Sequence, residues 1–154
     1  MQQPIVALLE NIRSAYNVGS FFRTADGAGL TKLYLAGITP TPPHPGIRKT
    51  ALGAEESIPW EHTFSAAAIA RQLRREHFQI VVVENTPQAL QYTAVVYKTP
   101  LCLVFGHEVA GVSDELLALA HLIVKIPMHG IKESLNVSSA FGIMAYEVNH
   151  QLQR

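Results

Sequence analysis

The sequence predicts an α/β fold with a mostly parallel sheet and helices on both of its faces. Short apolar segments alternate with helix-forming segments along the chain, which is typical of α/β proteins. These apolar segments lack the alternating polar residues of a half-exposed strand, so we expect strands that are buried on both faces. The chain has 154 residues and shows no linker, repeat or low-complexity segment. We therefore expect residues 1–154 to form one domain.

The first half of the chain contains two predicted strands, at residues 4–9 and 32–36. Between them, Asn17 is the predicted N-cap of a helix that ends near Ala28, where Gly29 stops it. Residues 37–46 contain four prolines and are predicted to form a stiff, extended loop. We expect a short helix within residues 47–56.

The second half continues the alternation. Helices are predicted at 65–76 and at 113–119, the latter with Ser113 as N-cap and acidic residues in its first turn. Strands are predicted at 79–83, 100–105 and 121–126, with Gly106 forming a turn after the second of them. A long helix is predicted at 136–152.

The last helix carries more apolar surface than one contact requires. One stripe at helical spacing is widened by further apolar residues; together these are Val137, Ala140, Phe141, Ile143, Met144, Tyr146 and Val148. A single stripe suffices for an ordinary amphipathic helix. We therefore expect one face to cover the sheet and another to meet a second copy of the chain. The alternative is a helix buried within its own domain.

Composition excludes several classes of protein. The lone cysteine, Cys102, lies in an apolar segment and is predicted to be a core thiol, without a disulfide or a cysteine-based zinc site. No apolar segment reaches the ~20 residues of a membrane span, and the N-terminus lacks the basic region of a secretory signal. We expect a cytoplasmic protein without a membrane partner.

The charge is zero overall but unevenly distributed. Residues 1–75 carry eight Lys/Arg and five Asp/Glu, whereas residues 76–154 carry four and seven. A basic first half suits contact with nucleic-acid phosphates, although ordinary scatter is the alternative. Two cations, Arg48 and Lys49, follow the proline-rich loop. Their side chains either contact phosphates or are simply solvated.

Common catalytic motifs are missing. His107-Glu-Val-Ala-Gly111 fails the H-E-x-x-H zinc pattern at its last position, and the other histidines are scattered, so we expect no metal site. The chain has no P-loop, no G-x-G-x-x-G after its first strand and no G-x-S-x-G. Instead, loops 84–87, 106–111 and 127–134 each follow a predicted strand. Ligands of open α/β sheets bind at the carboxyl ends of strands, so the three loops are expected to share one pocket.

Three segments carry a resemblance to a known family. They are Asn17-Val-Gly-Ser-Phe-Phe-Arg23, Phe105-Gly-His-Glu108-Val-Ala-Gly111 and Ile126 to Met144, the last containing Ser134-Leu-Asn136. In order and content they resemble the three signature motifs of the SpoU/TrmH family. These enzymes methylate RNA ribose 2′-hydroxyl groups with S-adenosylmethionine.

The resemblance implies a fold and partners. It implies the SPOUT fold, whose C-terminal part forms a deep trefoil knot, although chains are in general not knotted. It also implies a homodimer through the C-terminal helix and an RNA substrate. The chain most resembles short members that act on tRNA and lack an additional N-terminal RNA-binding domain. Ribosomal RNA is the alternative substrate, and a non-catalytic RNA-binding dimer is the alternative function.

The resemblance also implies the site residues. The expected positions for S-adenosylmethionine are Glu84, Gly106, Ile126 and Ser134, with Met128 and Leu135 offering apolar cover. The expected catalytic positions are Asn17, Arg23, Glu108, Ser134 and Asn136. The expected RNA contacts are Arg13, Arg23, Arg48 and Lys49.

The roles of the catalytic residues are not fixed by the sequence. Arg23 is either a general base or a group that stabilises the ribose oxyanion, and the second role suits a guanidinium, which normally stays protonated; gripping a phosphate is a third possibility. Glu108 is expected to anchor Arg23 or Asn136, or to be a structural ion-pair partner. Asn17 and Asn136 orient a loop or substrate, or cap helices.

Overall fold

The computed structural model describes residues 3–153, so residues 1, 2 and 154 of the predicted domain lie outside the described residues. The strands are β1 (Ile5–Glu10), β2 (Lys32–Ala36), β3 (Trp60–Thr63), β4 (Gln79–Val83), β5 (Leu90–Gln91), β6 (Leu101–Phe105) and β7 (Leu122–Lys125). The helices are α1 (Ala15–Ala28), α2 (Pro45–Ala51), α3 (Ala54–Ser57), α4 (Ala66–Arg75), α5 (Asp114–Leu119) and α6 (Val137–Leu152).

The strands form one parallel sheet in the order β3-β2-β1-β6-β4-β7-β5. The predicted parallel α/β architecture is confirmed. Strand β4 is the neighbour of both β6 and β7, with Val82 opposite Val104 on one side and Ile123 on the other. The carboxyl ends of β6, β4 and β7 therefore lie side by side, and so do the loops that follow them.

Both faces of the sheet are covered. Alternate residues of β1 enter different core clusters: Ile5, Ala7 and Leu9 join the first, and Val6 and Leu8 join the second. The first cluster includes residues of α1 and α6, and the second includes residues of α4 and α5. This double burial explains why the strands are apolar throughout.

Three aromatic rings fix α1 and α6 against β6. The rings of Phe21 and Phe141 stack with centroids 4.5 Å apart, and each meets Phe105 edge-on at 5.4 Å. All three side chains are buried, and each contributes roughly 1.5–3 kcal/mol by leaving water. Because Phe105 is the last residue of β6, this cluster places the N-terminal part of α6 beside the carboxyl edge of the sheet.

Helix α1 begins earlier than predicted. Its N-cap is Ser14, whose hydroxyl accepts a hydrogen bond from the backbone N–H of Asn17 at 3.2 Å. The assignment of Asn17 as N-cap was therefore wrong. The sequence offers two capping residues three positions apart, and Ser14 takes the role. The Asn17 side chain is free for other contacts.

Two further expectations need correction. The short helix expected within 47–56 is two helices, α2 and α3, separated by Leu52 and Gly53, which have φ angles of 53° and 96°. Helix α2 begins at Pro45, with His44 as N-cap, so Arg48 and Lys49 lie on a helix and not in a loop. The sequence also failed to predict β3 and β5, which are short and lie at the two edges of the sheet.

Candidate active site

A cavity of about 260 Å³ opens at the carboxyl ends of β4, β6 and β7. It is lined from all three predicted loop regions and from the start of α6. The lining residues are Val83, Glu84, Asn85, Phe105, Gly106, His107, Glu108, Val109, Gly111, Lys125, Ile126, Glu133, Ser134, Leu135, Asn136, Val137 and Ala140. Of the six expected cofactor positions, the cavity includes Glu84, Gly106, Ile126, Ser134 and Leu135.

Met128 is the expected cofactor residue that the cavity does not include. It is partly buried, and the lining is interrupted from Pro127 until it resumes at Glu133. The apolar wall is instead provided by Phe105, Ile126, Leu135 and Val137. The cavity therefore has an apolar wall without Met128.

The loop after β6 is compact because two of its residues are glycines. A Cβ atom at Gly106 would lie 2.5 Å from the carbonyl carbon of Gly111 and from the nitrogen of Val112. Gly111 has a φ of 76°, a backbone conformation that favours glycine. The loop is closed where the Gly111 N–H donates to the His107 carbonyl at 2.9 Å. Its shape therefore depends on the absence of side chains.

His107 supports the same loop from within. Its ring Nδ1 accepts hydrogen bonds from the backbone N–H groups of Val109 at 3.0 Å and Ala110 at 2.9 Å. This arrangement places the ring proton of a neutral His107 on Nε2. His107 thus stabilises the loop backbone. It belongs to the segment that fails the H-E-x-x-H zinc pattern.

Glu84 ties two of the loops together. Its Oε2 accepts a hydrogen bond from the Val112 N–H at 2.8 Å, and a Cβ at Gly111 would lie 2.6 Å from the same oxygen. The Glu84 backbone N–H donates to the Val124 carbonyl of β7 at 3.0 Å. Glu84 therefore lines the cavity and also fixes the loop after β6.

Side chains of all three motifs meet in one hydrogen-bonded chain. Glu108 Oε2 accepts from Asn17 Nδ2 at 3.0 Å, and Asn17 Oδ1 accepts from Asn136 Nδ2 at 3.2 Å. These residues are separated by 91 and 119 positions in the sequence. Asn17 lies at the start of α1 and Asn136 is the N-cap of α6. The chain thus links the loop after β6 to the starts of both helices.

Glu108 also holds the N-terminus of α1 through backbone groups. Its two carboxylate oxygens accept from the N–H groups of Arg13 at 2.8 Å and Ser14 at 3.0 Å. Burial pushes the pKa of Glu108 upward, but the hydrogen bonds from Arg13, Ser14 and Asn17 outweigh burial, and the pKa is lowered. The carboxylate is therefore ionised at neutral pH, opposite the positive end of the helix dipole.

Asn136 does two things at once. Its Oδ1 accepts from the N–H groups of Ser138 at 2.9 Å and Ser139 at 3.3 Å, which caps α6, while its Nδ2 reaches Asn17. Capping and a role in the site are thus compatible. Ser134 and Leu135, just before it, are exposed residues that line the cavity.

Arg23 is not brought to this cluster. Arg23 is exposed on α1 and does not line the cavity. It makes no ion pair either, since the ion pairs among residues 3–153 are Lys32–Glu61 and Arg71–Glu115. At about 1.5 Å of rise per residue, Arg23 lies about 9 Å further along the helix than Asn17 and on a different face. Of the two partners expected for Glu108, Arg23 or Asn136, Glu108 reaches Asn136 through Asn17 and makes no ion pair with Arg23.

The remaining predicted RNA residues lie elsewhere on the surface. Arg13 is exposed just before α1, and its backbone contacts Glu108. Arg48 and Lys49 are exposed on α2, where they line a second cavity. Among the described residues, no group of three or more His, Cys, Asp or Glu side chains is placed to hold a metal ion. No helix within that part of the chain is long and apolar enough to cross a membrane.

Several polar lining residues were missed from the sequence. Asn85, Lys125 and Glu133 line the cavity, and Asn85 Nδ2 donates to the Glu133 carbonyl at 3.4 Å. That contact joins the loop after β4 to the segment before α6. The sequence could have indicated Asn85 and Lys125, because they lie at the carboxyl ends of two predicted strands, where ligands of parallel sheets bind.

The chain is similar to known proteins. The SpoU rRNA methylase family matches residues 4–146. The chain is 31% identical over 150 residues to a tRNA (guanosine(18)-2′-O)-methyltransferase of Thermus thermophilus, in an alignment that covers 97% of this chain and 76% of that relative.

Solved structures share the fold. The S-adenosylmethionine-bound rRNA methyltransferase of Sinorhizobium meliloti has a TM-score of 0.90 at 28% identity, covering 98% of this chain and 58% of that one. A structure described as giving insight into 2′-OH methylation of C/U34 on tRNA has a TM-score of 0.87 at 26% identity, covering 98% and 97%.

Proposed function

Because this chain belongs to the SpoU rRNA methylase family, we propose that it is an S-adenosylmethionine-dependent enzyme that methylates ribose 2′-hydroxyl groups of tRNA. The observation that carries the proposal is the hydrogen-bonded chain of Glu108, Asn17 and Asn136 at the edge of the cavity. It unites three motifs that are far apart in sequence.

The cavity fits the cofactor in its chemistry. Ile126 and Leu135 provide an apolar wall for an adenine ring, and Gly106 brings backbone without a side chain to the lining. Ser134 adds a hydroxyl, and Glu84 holds the loop in place. When bound, S-adenosylmethionine supplies an electrophilic methyl group on a sulfonium.

We assign Arg23 to the acceptor side of the reaction. A ribose hydroxyl is a weak nucleophile that must lose its proton, here to solvent water, and the negative charge that develops on its oxygen needs stabilisation. A guanidinium provides this with fixed, planar donors while remaining protonated. Arg23 lies outside the cofactor cavity, as a group that serves the RNA should.

The Glu108–Asn17–Asn136 chain positions the cofactor cavity and Arg23 relative to each other. Helix α1 carries Arg23, and its first turn is held by Glu108 of the cofactor loop and by Asn136 at the start of α6. We propose that this link sets the geometry for an in-line displacement, in which positioning supplies much of the rate.

The choice of tRNA rests on the relatives. The Thermus enzyme, 31% identical, is named for tRNA, and the tRNA-related structure spans nearly the same length as this chain. Ribosomal RNA is the second candidate, supported by the Sinorhizobium enzyme.

We propose a homodimer that uses the outer face of α6. Phe141, Met144 and Val148 on the inner face are buried, whereas Ile143 and Tyr146 remain 38% and 54% exposed. Most soluble oligomers have two-fold symmetry. Light scattering at micromolar protein is expected to give twice the chain mass, and Ile143→Glu is expected to shift it toward the monomer. A wild-type monomer would refute the dimer.

We also propose the trefoil knot and a single domain over residues 1–154. The strand order supports the knot, because β6 lies between the earlier strands β1 and β4 while β7 lies beyond β4. A chain trace of an experimental structure tests this, and an unknotted trace contradicts it. We place the enzyme in the cytoplasm, with its RNA substrate; cell fractionation tests that placement.

The function is tested by methyl transfer. Purified protein and methyl-labelled S-adenosylmethionine are incubated with an unmodified tRNA transcript or, separately, with ribosomal RNA fragments, and each RNA is digested to nucleosides. We expect label in a 2′-O-methylated nucleoside. Label only in ribosomal RNA fragments would favour the second substrate, and label in neither RNA would favour a non-catalytic RNA-binding dimer.

A further inference from the structure

The loop after β6 takes its shape from one acceptor nitrogen of His107. Its Nδ1 accepts from the N–H groups of Val109 at 3.0 Å and Ala110 at 2.9 Å, which lie two and three positions further along the chain. A ring nitrogen accepts a hydrogen bond only while it carries no proton, and in the imidazolium ion both ring nitrogens are donors. A protonated His107 would therefore turn an N–H toward two backbone N–H groups. The observed loop thus requires the neutral ring.

The same pair of contacts occurs at the start of α6, with an amide oxygen in place of the ring nitrogen. Asn136 Oδ1 accepts from the N–H groups of Ser138 at 2.9 Å and Ser139 at 3.3 Å, again two and three positions further along. Both side chains place their acceptor two bonds from Cβ, within reach of the local backbone. The asparagine amide does not change its charge between pH 5 and 8, whereas histidine does. Asparagine at 107 would therefore keep the acceptor and remove its titration.

The loop held by His107 forms a wall of the cofactor cavity. Gly106 to Val109 and Gly111 all line the cavity, so one of the two backbone donors, that of Val109, belongs to a lining residue. The loop is also tightly closed, since a Cβ at Gly106 would lie 2.5 Å from the Gly111 carbonyl carbon. Loss of the two hydrogen bonds would therefore change the shape of the cavity directly.

We propose that His107 is a positioning residue that holds the cofactor loop in its binding shape only while its imidazole is neutral. The inference rests on the proposed function, because it takes the cavity as the site of S-adenosylmethionine. Histidine changes its charge in the range from pH 5 to pH 8. Cofactor affinity should be full where the ring is neutral and should fall as the pH is lowered and the ring takes up a proton.

Charged groups from several elements surround the loop. Glu84 Oε2 and both carboxylate oxygens of Glu108 accept from backbone N–H groups. The exposed His129 follows β7 but does not line the cavity. The other groups are Lys125 and Glu133 in the lining, Glu10, which holds Ser113, and Arg13, whose backbone contacts Glu108. Carboxylates, ammonium groups and guanidinium groups ordinarily keep their charge between pH 5.5 and 7.5, so a change of the cavity in this range points to His107.

Binding of S-adenosylhomocysteine, the demethylated product, is measured by calorimetry at about pH 7.5 and about pH 5.5. For wild type we expect about tenfold weaker affinity at the lower pH, the scale of two lost hydrogen bonds. His107→Asn should bind like wild type at the higher pH and keep that affinity at the lower pH. His107→Ala should bind weakly at both.

His44→Asn is the matched control for this substitution. His44 also accepts through Nδ1, from the Gly46 N–H at 3.0 Å, but it does not line the cofactor cavity. The His44→Asn protein should therefore show the same loss of affinity at the lower pH as wild type.

A second measurement follows the loop without any cofactor. In NMR spectra of the free protein, the amide resonances of Val109 and Ala110 should move as the pH is lowered through the same range. In His107→Asn these two resonances should stay in place, because their acceptor does not titrate.

The outcomes separate this inference from the proposed function. Equal affinity of wild type at both pH values, or the same loss in His107→Asn, would overturn the inference even if wild type methylates tRNA normally. Weak binding of His107→Asn at the higher pH would also overturn it, because an acceptor at this position would then not hold the loop. A wild type that binds no S-adenosylhomocysteine at either pH would contradict the proposed function, and the amide titration would still decide whether neutral His107 holds the loop.

Discussion

The two cavities of this molecule are built from different parts of the chain. The cofactor cavity is shaped by backbone: glycines at 106 and 111 and loops tied by Glu84 and His107. The second cavity is shaped by side chains on α1, α2, α3 and the start of β3. A backbone-built site should be sensitive to added atoms, whereas a side-chain-built site should respond to the loss of particular groups. The two cavities are therefore expected to respond to different substitutions.

The largest effect is expected from Arg23, which lines neither cavity. Arg23→Ala should lower the methylation rate about 100- to 1000-fold, the cost of removing one oxyanion-stabilising group. Arg23→Lys should not restore the rate, because the planar fork of donors is lost.

Cofactor affinity is the control for Arg23. Calorimetry should give nearly the same dissociation constant for wild type and Arg23→Ala, since the residue serves the RNA. Near-normal turnover of Arg23→Ala would mean that Arg23 does not act on the ribose hydroxyl. Loss of cofactor binding in this variant would mean that Arg23 instead helps to form the cofactor site.

A large effect is also expected from a side chain at Gly106. Gly106→Val places atoms against the backbone of Gly111 and Val112, and such overpacking costs about 1–3 kcal/mol. The loop must shift, so we expect calorimetry to show affinity for S-adenosylmethionine at least about tenfold weaker.

Gly130→Val is the matched control for this substitution. A Cβ at Gly130 meets no atom within 4 Å, so its cofactor affinity should stay near wild type. Equal affinities for both variants would show that the loop after β6 does not shape the cofactor site.

A smaller effect, on RNA binding alone, is expected from the cations of the second cavity. Replacing both Arg48 and Lys49 by Ala should flatten the slope of log affinity against log salt by about one unit for each lost phosphate contact. Cofactor affinity should not change, because neither residue lines the cofactor cavity.

The matched double variant for the RNA measurement replaces Arg75 and Lys98, two exposed cations away from both cavities. Its slope should equal that of wild type. If the Arg48 and Lys49 variant also keeps the wild-type slope, the RNA surface must be sought elsewhere, with Arg71 and Arg74 the next pair to test.

The smallest effect concerns the link between the two regions. Glu108→Gln should lower the free energy of unfolding by about 1 kcal/mol at neutral pH, the typical value of a helix N-terminal contact. The pKa of Glu108 is lowered in the folded protein, so its contribution is full above the ordinary Glu pKa of about 4.3 and is lost as the pH falls through the lowered value.

Urea unfolding at pH 7 and at about pH 3 tests this link. The stability difference between wild type and Glu108→Gln should shrink at the lower pH. A difference that is the same at both pH values would mean that the ionised carboxylate does not hold the start of α1.

The sequence predicted those parts of the molecule that depend on local pattern and burial. Strands β2 and β4 have the predicted bounds, and Asn136 starts α6 as expected. The apolar strands predicted a doubly covered parallel sheet, and the loops at 84, 106 and 127 pointed to the carboxyl edge, where the cavity lies. Both follow from rules that hold for any parallel sheet.

The sequence could not predict contacts that depend on tertiary placement. Ser14 caps α1, while the side chain of Asn17 contacts Glu108, which lies 91 positions away in the sequence. Strand β3 (Trp-Glu-His-Thr) is too polar and short to be recognised without β2 beside it.

Ribose methylation of RNA by this chain is tested most directly by a map of 2′-O-methylation in total RNA. Cells that lack the protein are compared with the same cells supplied with wild type or with Arg23→Ala. We expect one or a few tRNA positions to lose their 2′-O-methyl group, to regain it with wild type and to stay unmethylated with Arg23→Ala. An unchanged map in cells without the protein, or full restoration by Arg23→Ala, would contradict it.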